Sequence, residues 1–164
     1  MMITIDRDVL IDAGLFVGAL LIGDPRYDEA FPLVEAARLG QIQAFTTGGI
    51  LSEVYAALTW HLAQPTHSPQ EAALAVAALV KPPSAIRILP DNLAAALKAV
   101  EMAAAHNLTA RRIHDARHAA AAIVAGVTRV YTYDVEDWKA FQNDDLAIVG
   151  PVSALVRLDH RLEN

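Results

Sequence analysis

The sequence predicts a single α/β domain built on a parallel sheet of about five short strands flanked by helices. Apolar runs of four to six residues alternate with longer stretches of helical periodicity, as in a sheet with helical crossovers. The chain has 164 residues, of which 54% are hydrophobic and about a fifth are alanine. That length favours one domain, and that composition excludes a disordered chain. We expect one domain over residues 1–164, with a core over about 8–150 and a short C-terminal tail.

The predicted strands are rich in Val, Ile or Leu at successive positions, as expected of strands that are buried on both faces. They span residues 8–12, 42–46, 86–89, 129–132 and 146–149.

The stretches between these strands have helical periodicity and clear start and stop signals. Ser68 is a predicted N-cap with Pro69 after it and Glu71 three residues on, and Asp91 is expected to cap a later helix. Gly40 and Gly126 are expected to end two helices. The predicted helices lie near residues 14–22, 26–39, 48–62, 68–80, 91–106 and 113–125.

The longest apolar run, residues 13–23, is shorter than the roughly 20 residues that span a bilayer. An acidic residue flanks it on each side, whereas a secretory signal begins with a basic region. We expect a cytoplasmic protein that does not enter a membrane.

Acidic residues follow the predicted strands at positions that burial does not explain. Asp12 ends the first strand, Asp134 follows the fourth, and Asp137 comes three residues later. Asp115 lies one turn into the helix before the fourth strand, and Glu53 lies near the start of the helix after the second. Because the carboxyl ends of parallel strands meet at one edge of a sheet, we expect these side chains to converge. Clustered carboxylates need a cation or raised pKa values at neutral pH.

The chain contains no cysteine, which excludes a disulfide scaffold and leaves His, Asp and Glu as metal ligands. Clustered carboxylate oxygens suit Mg²⁺ or Mn²⁺, and Mg²⁺ usually keeps several waters. Such an ion can activate water and stabilise charge on a phosphoryl oxygen, so the residues favour metal-assisted hydrolysis of a phosphodiester. Each acid alone also fits an ordinary role as a helix cap, a turn residue or a solvated surface group, and only the joint arrangement favours a site.

Four segments that carry these acids resemble the acidic motifs of the PIN domain family, and their spacing is similar to that of VapC-type toxins of bacterial toxin–antitoxin pairs. The likeness covers residues from about 8 to 150. The segments are Val9-Leu10-Ile11-Asp12, Leu51-Ser52-Glu53-Val54, His114-Asp115-Ala116-Arg117-His118-Ala119-Ala120 and Tyr131-Thr132-Tyr133-Asp134.

The resemblance implies a three-layer PIN-like fold and an endoribonuclease that depends on Mg²⁺ or Mn²⁺. Asp12 and Asp115 would hold the metal, with Glu53 and Asp134 completing the catalytic cluster. It further implies a homodimer, and a VapB-like antitoxin whose peptide lies in a groove near the site.

Auxiliary roles follow from the same resemblance. Thr132 would match the family's hydroxyl near the fourth acid, and Asp137 would be an auxiliary acid. The sequence departs from the family pattern at Ala13 and Gly14, where members usually have Thr or Ser followed by Asn. This departure leaves open a catalytically weakened PIN domain that binds RNA or protein.

A zinc hydrolase is a further alternative, because His114 and His118 are spaced i and i+4 as in the His-Glu-x-x-His motif. No third ligand is obvious, and the ordinary interpretation is that both histidines lie on a helix surface. His118 lies about 60° from Asp115 on the helical wheel, so it is also a candidate auxiliary residue.

Net charge bears on whether the partner is RNA. The chain has 19 acidic and 13 basic residues, and a balance of −6 gives no general attraction for nucleic acid. Without the five acids of the predicted site, the chain would have 14 acidic and 13 basic residues, a balance of −1. Most of the acidic excess therefore belongs to the predicted metal site, so we expect RNA binding to depend on the metal. Arg111, Arg112 and Arg117 are candidate phosphate contacts beside the site, although flanking charges of this kind are often only solvated.

Overall fold

The structure, a computed structural model, describes residues 6–163 and, among them, all side chains except those at positions 6, 7, 143, 155, 157, 161 and 162. The predicted domain 1–164 also includes residues 1–5 and 164, which lie outside the described residues. Five strands are present, as predicted: β1 Asp6–Ile11, β2 Ile42–Thr46, β3 Arg87–Ile88, β4 Arg129–Tyr131 and β5 Ala147–Val149. They form one parallel sheet in the order β3-β2-β1-β4-β5, which confirms the predicted fold class.

Each of the six predicted helices is present, and most begin or end within three residues of the expected positions. They are α1 Ala13–Leu20, α2 Tyr27–Arg38, α3 Gly48–Leu58, α4 Pro69–Val80, α5 Leu93–Ala105 and α6 Ile113–Val124. Two helices were not predicted: α7 Val135–Trp138 and α8 Pro151–Leu162. Residues that we expected to form a short tail are thus helical, and Ala154 and Leu158 of α8 are buried.

The strand order places the ends of β1 and β4 at the centre of the domain. From β1 the chain moves outward to β2 and β3, and after β4 it moves the other way to β5. Because such crossovers are right-handed, α1 to α4 cover one face of the sheet and α5 and α6 cover the other. The carboxyl ends of β1 and β4 flank the point where the winding direction reverses, which is where open α/β sheets bind ligands.

Burial of the central strands explains why their sequences are apolar at successive positions. Val9, Leu10 and Ile11 of β1 are fully buried, and so is Val130 of β4. Removing one such side chain from water stabilises a fold by about 1.5–3 kcal/mol, so these strands fix the sheet's centre.

Most of the helix caps that the sequence predicts are present in the structure. Ser68 and Glu71 form the predicted capping box, and Gly40 and Gly126 have φ angles of 76° and 77° after the helices that they end. The prediction for Asp91 is wrong: Asn92 caps α5 by accepting a hydrogen bond from the Ala95 N–H.

Within residues 6–163, no helix combines the length and the apolar character needed to span a membrane.

Candidate active site

Asp12 follows β1 directly and lies in the interior, with 6% of its surface exposed. It occupies the N-cap position of α1, but its side chain does not cap the helix. Its Oδ2 instead accepts a hydrogen bond of 2.8 Å from the Thr132 hydroxyl. Burial raises the pKa of Asp12, while the hydrogen bonds from Thr132 and from the Ala13 backbone oppose that rise.

Thr132 connects the ends of the two central strands. Its hydroxyl donates to Asp12 and accepts a hydrogen bond of 3.0 Å from the Asp134 backbone N–H. The residue is fully buried directly after β4, so both bonds lie away from solvent. Thr132 therefore fixes the position of Asp12 and the turn that carries Asp134.

Asp115 lies in the first turn of α6 and is half-buried. Its pKa is raised to about 6, and burial is the largest cause, followed by the negative charge of Asp12. The charges of Asp137 and Asp134 raise this pKa further, and His118 lowers it. Repulsion between carboxylates weakens with distance, so these charges lie in the same region of the molecule. The structure thus brings acids from α6 and from the ends of β1 and β4 into one cluster, and Asp134 and Asp137 lie at its exposed rim.

Glu53 reaches the same edge from α3 through a buried histidine. His118 of α6 is only 3% exposed, and its Nε2 lies 3.0 Å from Glu53 Oε1. Its Nδ1 lies 3.0 Å from the hydroxyl of Thr47, which also accepts a hydrogen bond from the Ile50 N–H and so caps α3. Glu53 and His118 both contribute to the pKa of Asp12, so this chain of contacts borders the acidic cluster.

Gly49 provides the space for the ring of His118. A Cβ atom at residue 49 would lie 2.9 Å from His118 Cε1, whereas a Cβ at the neighbouring Gly48 would meet nothing within 4 Å. Sequence analysis did not identify Gly49 or Thr47 as site residues. The Thr-Gly-Gly sequence at the start of a helix was the available signal, but it marks a cap just as well.

Arg26 and Tyr133 occupy the space above Gly14, where the family resemblance leads one to expect a polar side chain. A Cβ at residue 14 would lie 3.3 Å from Arg26 Nη1 and 3.4 Å from Tyr133 Cδ2. Asp24 holds Arg26 through hydrogen bonds of 2.9 Å to Nε and 2.8 Å to Nη2, and the guanidinium lies over the Tyr133 ring. The hydrogen bonds to Asp24 raise the pKa of Arg26, and the charge of Asp134 contributes further. A fixed cation therefore borders the acidic cluster.

A cavity of about 540 Å³ opens beside Glu53 and His118 and extends to His114 and Arg117. Arg117 is exposed and lies 3.5 Å from Asp91, and Arg111 and Arg112 are exposed in a short 3₁₀ turn before α6. Of the three predicted basic residues, Arg117 therefore lines the same cavity as Glu53, and Arg111 and Arg112 precede the helix that carries Arg117.

Within the described part of the chain, no three His, Asp or Glu side chains are arranged so that they could hold a metal ion by themselves. The predicted zinc pair gains no support, because both ring nitrogens of His118 already have partners and His114 is exposed.

Comparison with known proteins agrees with the fold. No curated protein matches the sequence. A solved structure of VapC20 from Mycobacterium tuberculosis, a toxin that cleaves the sarcin–ricin loop, is similar with a TM-score of 0.64 and 19% sequence identity, over 80% of this chain and 94% of that chain. The family model for the PIN domain matches residues 9–142. That match includes the four acidic segments and all strands except β5, and the chain belongs to the PIN domain family.

Proposed function

We propose that the protein is an endoribonuclease that uses Mg²⁺ or Mn²⁺, and that it is the toxin of a toxin–antitoxin pair. The observation that carries this proposal is the pair of hydrogen bonds by which Thr132 holds Asp12 and the turn of Asp134 at the edge where β1 and β4 end. The negative charge of Asp12 raises the pKa of Asp115, which places a third acid near that edge. Membership of the PIN domain family and the likeness of the fold to VapC20 support it.

Asp12 and Asp115 would hold the metal ion. Both offer only oxygen donors, and each carboxylate lies partly or fully away from solvent, so a cation between them would relieve their repulsion. A pair of carboxylates fits an ion such as Mg²⁺, which completes its coordination with water. When bound, the ion supplies positive charge that stabilises a developing phosphoryl oxygen and makes water easier to deprotonate.

The remaining site residues act on Asp12, on water and on the charge of the site. Thr132 keeps Asp12 Oδ2 in one orientation by donating a hydrogen bond to it. Glu53 accepts a hydrogen bond from the attacking water and so orients it toward phosphorus. Asp134 and Asp137 add negative charge at the rim, which favours retention of a cation.

The RNA strand would approach along the basic side of the cluster. Arg117 and His114 line the cavity beside Glu53, and Arg111 and Arg112 precede the same helix. The positive charge of the three arginines would contact backbone phosphates, which positions a strand without reading its sequence.

A groove of about 490 Å³ between α1 and the segment that follows α3 would accept the antitoxin peptide. Val17, Leu21, Trp60 and Leu62 line it, and Arg26 lies at its border. Trp60 is 55% exposed, which is unusual for so large an apolar side chain unless a partner covers it.

The outer face of α5 would form the homodimer contact. Leu93, Leu97 and Val100 project from successive turns of this helix and are 74%, 59% and 53% exposed. An apolar stripe of this kind favours association with a second copy.

A catalytically weakened PIN domain that binds RNA or protein is the second candidate, and the absence of polar side chains at Ala13 and Gly14 favours it. Cleavage assays separate the two. We expect the purified protein to cut RNA with Mg²⁺ or Mn²⁺, to stop when a chelator is added, and to lose activity in Asp115→Asn. The exposed Asp159→Asn on α8 is the matched control. RNA that is bound but never cut by the wild type would favour the second candidate. The substrates should include the sarcin–ricin loop.

A further inference from the structure

The contacts of His118 identify its hydrogen-bonding state. The Thr47 hydroxyl accepts the Ile50 N–H at 3.0 Å and lies 3.0 Å from His118 Nδ1. Because the Glu53 carboxylate can only accept, Nε2 of the ring is the donor, and in a ring with one proton Nδ1 accepts from the Thr47 hydroxyl. A ring that accepts at Nδ1 carries its proton on Nε2. Nε2 lies 3.0 Å from Glu53 Oε1, so that proton is donated to the carboxylate.

Three features show that this arrangement is fixed. His118 is almost completely buried, so its ring nitrogens depend on protein partners. Gly49 leaves room for the ring at the start of α3, because a Cβ there would lie 2.9 Å from Cε1. Thr47 is held in turn by its own capping bond.

Among the hydrogen bonds of the described residues, the one with His118 is the only bond that the Glu53 carboxylate makes. Its side chain is 46% exposed on α3, where a glutamate ordinarily samples several rotamers. The hydrogen bond from His118 selects a rotamer directed toward α6, the helix that carries Asp115.

We propose that His118 is a positioning residue, which holds the Glu53 carboxylate in place for catalysis through an Nε2–H donor whose tautomer is set by Thr47. This inference rests on the proposed ribonuclease function. It assigns His118 a role in orienting another side chain, distinct from zinc binding or contact with RNA.

Four variants in the full-length protein test this role. His118→Leu removes the donor at similar volume, and His118→Gln offers an amide N–H to Glu53. Thr47→Val removes the hydroxyl that sets the tautomer, and Thr47→Ser keeps it. His106→Leu is the matched control. The Nε2 of His106 also bonds a carboxylate, that of Asp144, at a distance of 2.7 Å, and neither residue belongs to the acidic cluster.

We expect His118→Leu and Thr47→Val to lower kcat for RNA by about 10- to 100-fold while KM stays within about twofold, as for other residues that orient a site group. His118→Gln and Thr47→Ser should recover most of that loss, and His106→Leu should leave kcat unchanged. Equal kcat in wild type and His118→Leu would overturn the proposal. So would a loss that Gln does not rescue, or one that follows the fraction of unfolded protein measured by circular dichroism.

A second measurement is independent of activity. Long-range ¹H–¹⁵N spectra of the wild type at about pH 8, where a free imidazole is neutral, should show His118 protonated at Nε2. Thr47→Val should change that pattern and Thr47→Ser should not. A proton on Nδ1 alone would overturn this proposal even in an active enzyme. A wild type with the Nε2–H pattern that cleaves no RNA would overturn the proposed function, and with it the catalytic role of His118.

Discussion

The hydroxyl of Thr132 donates to Asp12 Oδ2 at 2.8 Å and joins residues that are 120 positions apart in the sequence. The same oxygen accepts the Asp134 N–H, so one side chain organises the ends of both central strands. The acidic cluster therefore depends on a buried hydroxyl as well as on its carboxylates.

Thr132→Val should lower the free energy of unfolding by about 1–3 kcal/mol, because it removes the side-chain donor to the buried Asp12 carboxylate and the acceptor of the Asp134 N–H. Urea denaturation measures the change. Thr132→Ser should retain most of the stability, and Thr128→Val, at an exposed threonine just before β4, should have little effect. Equal losses in Thr132→Val and Thr128→Val would contradict the role of this bond.

Asp115→Asn should stabilise the metal-free protein above about pH 6. The pKa of Asp115 is raised from 3.8 to about 6, so its ionised form is less favourable in the folded chain than in the unfolded one. Its contribution to stability is therefore fully present below about pH 4 and is lost as the pH rises to about 6. Because the carboxyl is half-buried and partly screened, we expect a gain on the order of 1 kcal/mol at neutral pH. Melting curves at pH 4 and pH 7 test this, and a gain of the same size at both would contradict it.

Metal binding should raise the melting temperature of the wild type and leave that of Asp12→Asn unchanged. A ligand that binds only the folded state stabilises it by about 2.7 kcal/mol at a concentration of 100 Kd. Titration of Mg²⁺ or Mn²⁺ at constant ionic strength measures the shift, and a chelator should reverse it. An equal rise in both proteins would indicate binding elsewhere.

Gly49→Ala should destabilise the protein, and Gly48→Ala should not. Alanine stabilises a helix by about 1 kcal/mol relative to glycine, so Gly48→Ala should raise the free energy of unfolding by no more than this amount. At residue 49 the new Cβ would lie 2.9 Å from the ring of His118, and overpacking of this kind typically costs about 1–3 kcal/mol. Thermal unfolding of the two variants side by side tests this, and similar stabilities would mean that the ring has room to move.

Leu97→Glu should convert the proposed homodimer into a monomer. The substitution places a charge at the middle of the exposed stripe on α5. Leu74→Glu is the control, because Leu74 is 74% exposed on α4, outside that stripe. Sedimentation velocity gives the oligomeric state, and a dimer that survives in Leu97→Glu would exclude α5 as the contact.

The sequence predicted the sheet and the positions of the acids, because both leave a local signal. Runs such as Val9-Leu10-Ile11 show a strand that is buried on both faces, and Asp12 directly after such a run is conspicuous. The short helix α7 has only four residues and therefore shows no periodicity. The bond from His118 to Glu53 joins residues 65 positions apart, and the one to Thr47 spans 71, so no local pattern reveals either.

From the sequence, residue 14 showed only that a polar side chain usual in the family is replaced by glycine. The structure adds a reason, since Arg26 and Tyr133 fill the space that such a side chain would need. The side chains that fill this space come from other segments of the chain, and a single sequence does not disclose such a contact.

The order of the strands has a consequence for the synthesis of this protein. β1 is made early, but its partner β4 begins only at Arg129, and the acidic cluster needs residues on both sides of that pair. A nascent chain therefore carries Asp12 and Glu53 without a site until the residues of β4 and Asp134 have also been made. The proposed nuclease site therefore exists only while β4 is paired with β1, and any opening that separates the two strands dismantles it.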